Sequence, residues 1–213
     1  MLSTPFKSRI SREAINVLPI QYFDGKIIFI QNPQDAAECA RKIMEEKLLG
    51  FDTETRPAMK KGVYYDPAIV QIATPSEVYI FQLKNCENLT HLIPIFESEK
   101  HLKVCQGVQD DVRRLKRLKS FNARGFIELS KVTEAIAIED HGLKKLAANL
   151  LGFRLSKKEQ TSNWAREDLS DRQLRYAATD AWVSRRIYEV ATEFASLGLR
   201  ASTEEKKEEE IVE

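Results

Sequence analysis

Short apolar runs and helical periodicities follow one another along the chain in an order that dictates a layered architecture. Residues 26–31, KIIFIQ, read as a strand. In NPQDAAECARKIMEEKLL (32–49), Asn32 suits an N-cap, Pro33 suits the first helical position, and Ala36, Ala40, Ile43 and Met44 recur at helical spacing. LLGFDTE (48–54) returns to strand. AIVQIATP (68–75) and EVYIFQL (77–83) form two further strands, joined by a tight turn near Pro75 and Ser76. NLTHLIPIFES (88–98) reads as helix despite Pro94, HLKVCQG (101–107) as a short strand, and DDVRRLKRL (110–118) as the opening of a helix. From residue 130 onward helical periodicity dominates. GLKKLAANLLG (142–152) stops at Gly152, and the longest helix is expected from about Ser170 to Leu197. The polar segment KKEQTSN (157–163) is expected to be a surface loop.

Strand, helix, three strands, helix, strand and then mostly helices make an α/β domain. Its mixed central sheet is antiparallel in the middle and parallel where helices intervene. No repeat and no linker interrupts it, so residues 1–203 are expected to be a single domain with its core at about 26–198. Overall composition is that of a globular chain, 43% hydrophobic and 31% charged. The net charge of +1 hides a split: residues 204–213, EEKKEEEIVE, hold six Glu and two Lys, net −4, which leaves +5 on the rest. The tail is expected to be solvated and disordered. The remaining basic balance is compatible with a polyanionic partner without demanding one. Cys39, Cys86 and Cys105 show no C-x-x-C spacing and fit reduced buried thiols in a cytoplasmic compartment. The first twenty residues lack the apolar region of a signal peptide, and no run approaches a membrane span, so no membrane partner is expected.

One stretch breaks the apolar pattern. In FDTE, Asp52 and Glu54 sit two residues apart on a strand, so both point to one face with Thr53 opposite. Adjacent carboxylates repel unless one takes up a proton or a cation lies between them. An oxygen donor set of this kind suits Mg²⁺ or Mn²⁺. On its own the pair is weak evidence, since acids two apart are common on surfaces. Two more acids strengthen it. Asp111 shares a helix face with Leu115 and Leu118, while Asp110 is expected to cap that helix. Tyr176 and Asp180 lie four apart on the late helix, among Ala177, Ala178 and Ala181. A tyrosine hydroxyl bonded to its helix neighbour in the core would look the same.

Taken in order, D-x-E on a strand, strand–Gly–turn–Asp on a helix, and Y-x-x-x-D on a late helix resemble the three motifs of the DEDD exonuclease superfamily. The tyrosine variant (DEDDy), the branch of Werner-type exonucleases and ribonuclease D, is the closer likeness. FDTETRP, AIVQIAT, YIFQL and SNWAREDLSDRQLRYAATDA carry it, and it spans roughly residues 27–195. The resemblance implies a ribonuclease H-like fold and a 3′–5′ exonuclease. It also implies Asp52, Glu54, Asp111 and Asp180 as ligands of two divalent ions, and Tyr176 orienting the attacking water.

A nucleic acid with a free 3′ end is the partner so implied, DNA favoured by the first motif and RNA the alternative. A catalytically inactive binding module on the same fold is the competing reading. Thr53, Lys61, Arg113 and Lys157 are the candidate nucleic-acid contacts, with Lys60, Arg114 and Lys158 as neighbours of the basic ones. Each basic pair could equally be a solvated face, and Trp164 either stacks on a base or packs inside. Without further nucleic-acid-binding helices in this sequence, a helicase or another repair or processing partner in trans is expected to supply substrate.

Overall fold

The computed structural model describes residues 6–58, 60 and 62–202; Lys61 and the acidic tail lie outside them. Six strands form one sheet: β1 (Lys26–Ile30), β2 (Leu48–Thr55), β3 (Pro67–Ala73), β4 (Glu77–Gln82), β5 (Leu102–Cys105) and β6 (Phe126–Glu128), in the spatial order β1-β4-β3-β2-β5-β6. β2, β3 and β4 are antiparallel neighbours, whereas β1 on β4, β5 on β2 and β6 on β5 are parallel. The antiparallel centre and parallel flanks are those expected. β6 was not foreseen; three half-buried residues are too few to show a period.

Helices cover both faces. They are α1 (Arg12–Asn16), α2 (Pro33–Ile43), α3 (Ile93–Phe96), α4 (Val108–Leu118), α5 (Leu129–Glu134), α6 (Leu143–Leu151) and α7 (Asp171–Ser196). α2 begins as expected, with the Asn32 side chain accepting from the Asp35 N–H at 2.8 Å. The helix expected at 88–98 narrows to α3, with Pro94 in its first turn. On one face, Phe51 of β2 meets Phe96 of α3 edge-on at 5.7 Å, within a cluster that includes Ile43 and Leu115. On the other face, Ile69 and Ile80 pack against Ala177, Ala178 and Ala181 of α7. No helix of the described residues is long and apolar enough to cross a membrane.

Two local features bring the acid-bearing elements together. α7 starts with a capping box, Ser170 and Gln173 satisfying each other's backbone N–H groups, and this fixes where the helix begins. It then crosses β2 so closely that a Cβ on Gly50 would lie 1.9 Å from the Ala181 carbonyl oxygen. Only glycine permits that approach. α4 starts at Gly107, with φ +89°, and Asp110 does not cap it. The cap comes from β6 instead: the Glu128 carboxylate accepts from the Gly107 N–H at 3.0 Å and from Val108 N–H at 2.9 Å. Asp110 pairs with exposed Arg113 at 2.7 Å. A carboxylate on a distant strand could not be read from local capping rules.

Candidate active site

β2 carries Asp52 and Glu54 on the face that meets α7. On that helix Asp180 follows Tyr176 by one turn, and both are buried. One carboxylate oxygen from each of Asp52, Glu54 and Asp180 falls within 4.8 Å of the others. Asp111 approaches from α4 and lines the same cavity, whose volume is about 480 Å³. It stands outside the close trio, and its Oδ1 accepts a hydrogen bond from the Thr53 hydroxyl at 2.7 Å. Thr53, expected opposite Asp52 and Glu54, lines the same cavity and ties the fourth acid to β2.

So many carboxylates in a partly dry pocket oppose one another's ionisation. Burial, then the charges of Glu54, Asp180 and Asp111, pushes the Asp52 carboxyl well above the usual range. Burial followed by Asp180 and Asp111 lifts Glu54 to about 9. Asp111 rises to about 6 through burial, opposed by the Thr53 hydrogen bond and by Arg114. Asp180 also rises to about 6 through burial, with the Tyr176 hydroxyl and Lys144 opposing. The Tyr176 hydroxyl is driven far up by burial and by the neighbouring carboxylates, so it stays a neutral donor.

This donor set fits a divalent cation. It is all carboxylate, its oxygens are close enough for one ion to bridge, and its ionised form lacks the countercharge it needs. A further sign lies next to it. Gln71 pairs with Asp52 across β2 and β3 and so shares its face, and it is fully buried with both amide atoms unpartnered. Buried amides ordinarily find partners, and ordered water around an ion is one source of them.

The expected substrate contacts fare unevenly. Arg113 is taken up by Asp110 on the outer face of α4, and its neighbour Arg114 lines the cavity instead. Lys61 lies outside the described residues. Lys157 borders an adjoining groove rather than the acid cavity. Trp164 is fully buried and packs on the Tyr176 ring at 5.9 Å, so it offers no face to a base.

Lys144 was missed. Its Nζ donates to Gln160 Oε1 at 2.8 Å, and both residues line the cavity. Burial lowers the Lys144 pKa while the Asp180 charge raises it. A signal did exist: Lys144 and Lys145 sit in the first turn of α6, where the helix dipole disfavours cations. Gln160 comes from segment 157–163, a largely exposed loop as expected, and reaches the cavity wall from there.

Residues 27–192 match the 3′–5′ exonuclease family. The chain belongs to that family. Mouse bifunctional 3′-5′ exonuclease/ATP-dependent helicase WRN is 27% identical over 182 residues, covering 81% of this chain and 13% of WRN. An Arabidopsis thaliana 3′-5′ exonuclease is 29% identical over 208 residues, covering 88% of this chain and 71% of that protein. The Aedes aegypti Nibbler EXO domain superposes with a TM-score of 0.74 at 20% identity, covering 85% of this chain and 94% of that domain. The chain thus has the ribonuclease H-like fold expected of it. The match to WRN is confined to a small part of that relative's length.

Proposed function

We propose that this chain is a metal-dependent 3′–5′ exonuclease of the tyrosine variant (DEDDy), which releases nucleoside 5′-monophosphates from the 3′ end of a nucleic-acid strand, with DNA preferred. The observation that carries the reading is the trio Asp52, Glu54 and Asp180, drawn from two distant elements to within 4.8 Å, with Asp111 across the same cavity.

Asp52, Glu54 and Asp180 would hold one divalent ion, and Asp111 would join this group in holding a second. Two Mg²⁺ or Mn²⁺ ions, when bound, activate a water, neutralise the scissile phosphate and stabilise the departing 3′ oxygen. Tyr176, neutral at physiological pH, donates a hydrogen bond that orients the reacting groups; it is too weak an acid to serve as base. Lys144, held by Gln160, offers a positive charge on the same cavity wall. Arg114 offers another from α4. Thr53, a candidate nucleic-acid contact from the sequence, positions Asp111.

Incubating the protein with a 5′-labelled single strand and Mg²⁺ or Mn²⁺ tests this reading. A ladder shortening from the 3′ end, lost in Asp52→Asn, supports it; binding without shortening supports an inactive module instead. Matched DNA and RNA strands in the same assay decide the substrate, and a faster RNA reaction would favour a ribonuclease D-like role. The mouse relative is named as both exonuclease and helicase, and a helicase or another processing protein acting in trans would be one supplier of 3′ ends here.

A further inference from the structure

The acid cavity does not end at Lys144. That residue also belongs to the wall of a second cavity, of about 520 Å³, so the two openings adjoin. The second is bordered by Arg12, Lys145, Arg154, Lys157 and Lys158, with Ile15, Ile20 and Leu155 supplying apolar surface. No carboxylate lines it among the described residues. Lys145 is matched by buried Asp140 at 2.6 Å, but no described carboxylate pairs with Arg12, Arg154, Lys157 or Lys158.

Part of this groove lies outside the family region, which begins at residue 27. Arg12 and Ile15 are on α1, whose start is fixed by Ser11 accepting from the Ala14 N–H at 3.2 Å. The segment after α1 is tied to the far wall: the Arg154 N–H donates to the Pro19 carbonyl at 2.9 Å and its Nε to Leu18 at 2.8 Å. On the near side, the Ile10 N–H donates to Asp140 Oδ2 at 2.8 Å. Residues 10–19 are therefore anchored where they complete a cationic trough.

We propose that this groove holds the single-stranded nucleic acid immediately upstream of the 3′ terminus, and that α1 is a built part of the substrate track. The proposal rests on the exonuclease reading of the acid cavity. With the terminal nucleotide at the acids, the rest of the strand must leave the cavity. A basic, partly apolar trough suits a phosphodiester chain, with cations on phosphates and aliphatic surface under sugars and bases. The alternative exit past Tyr176 shares Lys158 with the groove but is bordered by Glu159 and Asp171 as well as Arg172 and Arg175, so its charge is mixed. The exit at Lys144 is uniformly basic.

The test is the triple variant Arg12→Glu, Lys157→Glu and Lys158→Glu, all exposed positions, with circular dichroism and melting confirming the fold. Fluorescence anisotropy with a labelled single-stranded 20-mer is measured in an Asp180→Asn background, so that binding is read without hydrolysis. Binding should weaken at least about tenfold at moderate salt, and the slope of log affinity against log salt should flatten by about 2, as three lost single-strand phosphate contacts require. Hydrolysis of the 20-mer by the otherwise intact triple variant should fall more than hydrolysis of a trinucleotide. Unchanged 20-mer affinity in the triple variant, with the parent chain still degrading strands, overturns the groove alone. If the folded parent chain neither binds nor degrades any strand, the exonuclease reading falls and the groove assignment falls with it.

Discussion

The Thr53 hydroxyl of β2 donates to Asp111 Oδ1 of α4 at 2.7 Å. This bond locks the helix that carries the fourth acid to the strand that carries the first two. It also favours the ionised form of Asp111, against the burial that opposes it. Thr53→Val keeps the shape and removes the donor. The Mn²⁺ concentration for half-maximal activity should then rise about 10- to 100-fold, the usual cost of removing a group that orients a metal ligand. A titration showing an unchanged requirement would assign Thr53 a packing role only.

Gly50 sets the spacing between β2 and α7. Adding one methyl places a carbon 1.9 Å from the Ala181 carbonyl oxygen, so the helix or the strand must shift. Gly50→Ala should cost about 1–3 kcal/mol in urea unfolding, as overpacking does. Activity should fall with it, since Asp52 and Asp180 lie directly along this contact. A variant of unchanged stability would mean that α7 can retreat freely.

The acid cavity predicts how metal and pH combine. Asp111 and Asp180 have pKa values raised to about 6, and Glu54 to about 9. Groups raised above their ordinary values of about 4 contribute stability below that pH and lose it as pH climbs through the raised value. The metal-free protein should therefore weaken between about pH 4 and 9 through these residues, and a bound cation should replace the missing protons. The Mn²⁺-induced rise in Tm should be larger at pH 8 than at pH 5. Asp180→Asn should stabilise the metal-free protein at pH 8 and shrink the Mn²⁺ effect. Its hydrolysis should fall by roughly 10²–10³-fold, the scale of losing one group that stabilises developing charge. Equal shifts at both pH values would contradict the assignment of the cluster as a cation site.

A second buried ionisable group acts on stability alone. Lys103 of β5 is fully buried, and its Nζ donates to the Ile95 and Ser98 carbonyls, both at 2.8 Å, above the Phe126 ring. Burial lowers its pKa to about 8. Its folded value thus lies below the unfolded one, and the unfolded chain binds more protons between the two. Stability relative to Lys103→Met should climb from about pH 8 toward 10, by no more than about 1.4 kcal/mol per pH unit. Denaturant curves at several pH values measure it, and a flat difference would show that the ammonium reaches water.

Much of this was legible in the sequence because period and chemistry pointed the same way. Asp52 and Glu54 break an otherwise apolar strand at a two-residue interval, and Tyr176 and Asp180 share a helical face, so each pair announced a common direction. The Ser170 start of α7 and the Asn32 start of α2 are local capping chemistry and appeared where expected. Long-range contacts were hidden. Glu128 caps α4 from another strand, Lys103 satisfies the carbonyls closing α3, and Gln160 folds back to Lys144. None of these leaves a periodic trace. Arg113 and Arg114 differ only in which side of α4 they occupy, and that side is set by Leu115 in the core with Val108, Val112 and Leu118 packed against it.

Manganese diffraction tests the central claim most directly. Crystals of the protein grown at about pH 8 and soaked in Mn²⁺ should show an anomalous peak within coordination distance of Asp52, Glu54 and Asp180, absent from Asp180→Asn crystals. Saturating Mn²⁺ that leaves those three carboxylates without a peak, or binds only elsewhere, would contradict the account.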